Sequence, residues 1–99
     1  MNNFEKAEVS LRYWLIGRGY IQALKAMEFG KRYHKGLRKD GVTPEFHHQI
    51  SIAQYVRTLP NLIDMERTLC VVFLSHLKHL YAAIDYLLIN FPFKFIDLF

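Results

Sequence analysis

An all-α fold, a compact bundle of about four helices, is what this chain predicts, and three observations carry the expectation. Apolar residues recur at helical spacing along most of the sequence, and strand-type alternation persists nowhere. Gly17-Arg18-Gly19, Gly36, Gly41, Pro44, Pro60 and Pro92 punctuate the chain at intervals that suit helices. Hydrophobic residues make up 52% of the 99 positions, enough for one small core and so for a single domain over residues 1–99.

The first helix is expected from Phe4 to about Gly17, with Phe4, Val9, Leu11, Trp14, Leu15 and Ile16 as its apolar surface. The glycines at 17 and 19 break it. A second helix should span Tyr20 to Tyr33, packing through Ile21, Leu24, Met27 and Phe29. The loop Lys35 to Pro44 follows, with Gly36 and Gly41 as turn residues and Thr43-Pro44 as a helix-start signal. A third helix is expected from Glu45 to Leu59, carrying Phe46, Ile50, Ala53 and Val56 on one stripe flanked by Ile52 and Leu59. Pro60-Asn61 ends it, and Asp64 is a suitable N-cap for a fourth helix from Met65 to about Asn90, stopped by Pro92.

That last helix is very apolar, but Ser75, His76, Lys78, His79 and Asp85 interrupt it centrally, which argues for a core helix or a partner-binding surface over a membrane span. The aromatic tail from Phe91 to Phe99 should pack on the domain or on another chain. Cys70 is the one cysteine, so no intrachain disulfide can form, and its apolar neighbours predict a buried structural thiol. The start Met-Asn-Asn-Phe-Glu-Lys lacks the pattern of a signal peptide, and a cytoplasmic setting is expected. Net charge is +4, and Arg18, Lys25, Lys31, Arg32, Lys35, Arg38 and Lys39 are opposed between them only by Glu28. Such a cluster suits phosphates or an acidic protein surface, or is simply a solvated face. Phosphate-cradling glycine loops, serine or cysteine nucleophile signatures and nucleic-acid motifs are absent from the sequence.

The densest chemistry lies between His34 and His48. His34-Lys35-Gly36 is followed by Arg38-Lys39-Asp40-Gly41, then by Pro44 and His48, and the pattern continues into Ile52-Ala53. This arrangement resembles the front part of the HD-domain phosphohydrolases of the RelA/SpoT family, which remove pyrophosphate from ppGpp and pppGpp. The resemblance spans about residues 20–74, with Glu45 standing where the family has tyrosine. It implies that His48 is a metal ligand and that Arg38 and Lys39 contact guanosine nucleotide. Neutral imidazole suits a divalent metal, and guanidinium suits phosphate or a purine face. The alternative for His34, His47 and His48 is that they cap or decorate helix ends.

The resemblance breaks after Val71-Val72-Phe73-Leu74. Where the family has its His-Asp pair, this chain has Ser75-His76, and His79-Leu80 replace the Glu-Asp that follows. Asp85 and Asp97, the only late aspartates, lie outside the family's context. A water-activating metal needs several fixed ligands, so no catalytic residue is expected. His76 and His79 share a helical face, either as two ligands awaiting a third or as polar interruptions of the helix.

The function these residues imply is a catalytically incomplete HD-like domain that works by binding another protein. A phage or mobile-element product that engages a host RelA/SpoT-like or defence protein would fit. Leu77, Tyr81, Ile84, Phe91, Phe93, Phe95 and Phe99, in the divergent apolar segment 75–99, are its expected contact residues. No cofactor, nucleic acid or membrane is expected. The alternative is a metal-dependent nucleotide phosphohydrolase with a rearranged site, using Mn2+ or another divalent metal.

Overall fold

The computed structural model describes residues 1–75. They form an all-α bundle of four helices: α1 (Asn3–Arg18), α2 (Ile21–Tyr33), α3 (His47–Val56) and α4 (Met65–Leu74). The expected contact residues from Leu77 to Phe99, and the histidines at 76 and 79, lie outside the described residues.

Each helix begins and ends for an identifiable reason. The Asn2 side chain accepts from the Glu5 N–H at 2.9 Å and caps α1. At its other end Gly19 adopts φ 71°, its N–H reaches the Ile16 carbonyl, and the Tyr20 N–H reaches Leu15. This left-handed cap belongs to Gly19 alone, so Gly17 stays inside the helix. Tyr20 gives α2 no side-chain cap. Instead Glu66 of α4 reaches across, its Oε2 accepting from the N–H groups of Gln22 (2.9 Å) and Ala23 (3.3 Å). The Ile21 N–H finds the Gly19 carbonyl, so the first turn of α2 is satisfied by tertiary contact. Asp64 caps α4 as expected, accepting from the Arg67 N–H at 3.0 Å.

Three expected boundaries move. Pro44 does not open α3, because an antiparallel bridge to Leu37 holds it in the preceding loop, and the helix starts at His47. The same helix stops at Val56 rather than Leu59. Both the N–H and the hydroxyl of Thr58 turn back to the Tyr55 carbonyl, which tightens the chain out of the α-helix. The fourth helix does not run through to Asn90 unbroken, because it ends at Leu74 and Ser75 is extended with ψ 150°.

The core runs through all four helices. Leu11 and Leu15 of α1, Ala23, Ala26 and Met27 of α2, Ile50, Ala53 and Val56 of α3, and Leu69, Cys70, Phe73 and Leu74 of α4 form one buried cluster with Phe46, just before α3. Ile16 and Ile21, expected to pack, are 48% and 50% exposed. Both lie off the buried stripes, which follow Leu11 and Leu15 in α1 and Ala23, Ala26, Met27 and Gly30 in α2. Cys70 is buried as predicted, and that burial, with the nearby charges of Glu66 and Asp64, pushes its thiol far above the usual range.

The stripe of small residues on α2 sets how closely α4 approaches. α2 and α4 share the most extensive helix–helix contact. A Cβ on Gly30 would fall inside the van der Waals envelope of the Phe73 carbonyl oxygen and 2.9 Å from the Phe46 ring. Gly17 has nothing within 4 Å of the same position. The two glycines should therefore respond oppositely to alanine. Urea unfolding of Gly30→Ala is expected to show a loss of about 3 kcal/mol by overpacking. The same measurement on Gly17→Ala should show a gain of roughly 0.5–1 kcal/mol from a better helix residue.

Candidate functional site

Between α2 and α3 the chain folds a small hairpin that carries most of the residues singled out above. Its neck is closed by the Leu37–Pro44 bridge and by the Glu45 N–H donating to the Gly36 carbonyl at 2.9 Å. Toward its tip the Arg38 N–H meets the Thr43 carbonyl at 2.8 Å, and Gly41, with φ 71°, turns the chain. Asp40 organises that tip. Its Oδ1 accepts from the N–H groups of Val42 and Thr43, and its Oδ2 accepts from the Thr43 hydroxyl. Those bonds, the Thr43 hydroxyl first and Arg38 nearby last, lower the Asp40 pKa from its ordinary 3.8 to about 2. Asp40 is thus committed to its own turn, and the Arg38 and Lys39 side chains stand exposed beside it.

The hairpin and the start of α3 border an open cleft of about 620 Å³. Arg38, Lys39, Leu37 and Asp40 line it from the hairpin, His48 and Gln49 from α3, and His34 and Glu45 from the two sides of the neck. The three residues predicted from the resemblance, Arg38, Lys39 and His48, are therefore brought to one place. His34 lies deeper, its side chain only 9% exposed, with Nδ1 4.0 Å from Glu45 Oε2. His47 turns the other way, its ring edge-on to Phe4 at 4.7 Å and its Nε2 3.3 Å from the Ser51 hydroxyl.

Of the rear of the expected site, Ser75 lies among the described residues. The Ser75 hydroxyl donates back to the Val72 carbonyl at 2.7 Å, and its own carbonyl accepts from Gln49 Nε2 at 3.2 Å. Ser75, set by the resemblance where a histidine is expected, thus has its hydroxyl and carbonyl engaged at the end of α4. Among the described residues no three His, Cys, Asp or Glu side chains converge as a metal-binding group. No helix among them is long and apolar enough to cross a membrane.

A second hollow of about 530 Å³ lies on the α1 side of His34, with Phe4, Phe46 and Ile50 as its apolar lining. Its charged rim is largely self-satisfied, since Lys31 pairs with Glu8 at 2.8 Å and Arg12 with Glu28. Of the basic cluster read from the sequence, Lys31 is thereby accounted for as helix-to-helix pairing, and Arg18 lies with Arg57 over the Trp14 ring. Gln49 had no signal in the sequence as a site residue. It occupies a core position on α3 and is recognisable only once the cleft exists.

No family model, curated protein or solved structure matches the chain. The likeness to HD-domain hydrolases therefore rests on the motif residues themselves.

The acidity of Asp40 can be measured directly. Carboxyl chemical shifts followed by NMR should place its midpoint at about 2, and Thr43→Val should move it up toward 3.8. Because the folded value is depressed, this carboxylate supports the hairpin above its unfolded pKa, and that support is lost as pH falls from about 4 through 2. Hydrogen exchange at the Val42 and Thr43 amides should quicken over that window.

Proposed function

We propose that the chain is a catalytically incomplete HD-like helical domain that acts by binding another protein. The observation that carries this is the fate of Ser75: where a hydrolase of this kind needs a metal-binding pair, the residue is tied to Val72 and Gln49. A cleft with one exposed histidine at its rim and no converging ligand set among the described residues supports recognition better than water activation. The partner is a protein, of the host RelA/SpoT-like or defence class, as for a product of a phage or mobile element. Its contact surface is the apolar segment that includes Leu77, Tyr81, Ile84, Phe91, Phe93, Phe95 and Phe99. The aromatic content of that segment is what protein interfaces concentrate at their centres.

Capture by an immobilised RelA/SpoT-like enzyme tests this. The full chain should be retained, and a Phe91→Ser, Phe93→Ser, Phe95→Ser variant should lose affinity by at least about tenfold. Absence of retention, or equal retention of both proteins, contradicts the proposal.

A second reading, guanosine nucleotide binding without turnover, is favoured by one observation: Arg38, Lys39 and His48 line the same cleft. Charged hydrogen bonds from Arg38 and Lys39 would hold the phosphates. Calorimetry with ppGpp should show saturable binding that weakens about tenfold in Arg38→Ala and falls with added salt. Arg18→Ala, which changes an arginine held on Trp14 away from the cleft, should bind as the parent does.

A further inference from the structure

Two of the side chains that line the hairpin cleft, Gln49 and His34, carry buried polar atoms without a partner among the described residues. Gln49 is 1% exposed, and while its Nε2 donates to the Ser75 carbonyl, its Oε1 has no partner among the described residues. His34 Nε2 is likewise buried without a partner among them. A buried acceptor deprived of a hydrogen bond is costly, and such atoms call for an explanation beyond packing. Gln49 also occupies a core face of α3, between His48 and Ile50, where an apolar side chain would fill the same space without that penalty. Arg38 and Lys39 bring two cations to the cleft lining, and Gln49 and Glu45 bring side chains with acceptor oxygens to it.

We propose that Gln49 is a specificity-determining residue of this cleft, its Oε1 accepting a hydrogen bond from an N–H or O–H group on the non-phosphate end of a phosphorylated ligand. The inference rests on the nucleotide-binding reading above for the phosphate end. It adds a residue to which the family resemblance assigns nothing. The two ends of the ligand are then read separately, anion at Arg38 and Lys39, donor at Gln49. A site built around a buried acceptor rejects ligands that lack the matching donor, because binding them leaves the acceptor desolvated and unpaired.

The test pairs two probes with one substitution. GDP carries both ends and inorganic pyrophosphate only the anionic one. Calorimetry on the full chain should show Gln49→Met weakening GDP about tenfold while pyrophosphate binding stays within about twofold. A variant-free readout accompanies it: in 15N spectra of the parent protein, GDP should shift the Gln49 side-chain amide and pyrophosphate should leave it in place. Equal weakening for both probes, no weakening for either, or an unmoved amide on GDP binding overturns the role of Gln49 while leaving nucleotide binding intact. Failure of the parent protein to bind either probe overturns the nucleotide reading and this inference together.

Discussion

The near contact between Gly30 of α2 and the Phe73 carbonyl of α4 is the constraint on which the rest of the molecule depends. It exists because α2 presents Ala23, Ala26, Met27 and Gly30 as one buried stripe, three of the four being the smallest side chains available. With no Cβ at Gly30, the α4 backbone closes in and Phe73 comes to 6.2 Å from Phe46 between ring centroids. Phe46 is the residue before α3, so this packing fixes where α3 begins relative to the end of α2. The hairpin spans that interval, and its position over the cleft follows. Glu66 works in the same direction, since its carboxylate ties the first turn of α2 to α4.

The cleft itself is a composite of surface and core chemistry. Its outer wall is a self-contained turn, held by Asp40 through three hydrogen bonds and by the Leu37–Pro44 bridge. Its inner wall is the first turn of α3, where His48 is exposed and Gln49 buried. The Gln49–Ser75 hydrogen bond joins that wall to the end of α4, at the point where the resemblance to a phosphohydrolase stops. One link therefore connects the first turn of α3 to the end of α4. The cleft presents cations and acceptors, and the Ser75 carbonyl is engaged at the end of α4.

Much of the fold was legible because it depends on local signals. Asp64 before an apolar run, the glycine at 19 and the helical stripe of Phe46, Ile50, Ala53 and Val56 each announce an element without reference to the others. Ile16 and Ile21 misled for the converse reason: hydrophobicity does not say which face the neighbouring helix will take, and the small residues of α2 took it. Gly30 carried no signal as a helix-interior glycine, because its importance lies 43 residues away at Phe73. In the candidate site, Arg38, Lys39 and His48 stood out by motif, and the hairpin unites them. Gln49 and Glu66 did not, since a glutamine on a core face and a glutamate in a helix's first turn become informative only through partners distant in sequence.

The central claim proposed for this chain is that it acts by binding and performs no hydrolysis. The most direct measurement is pyrophosphate release from ppGpp by the full chain in the presence of Mn2+. The account predicts release no faster than in the protein-free control. Release above that control that disappears in His48→Ala would contradict it, and would establish a working metal site in place of the incomplete one.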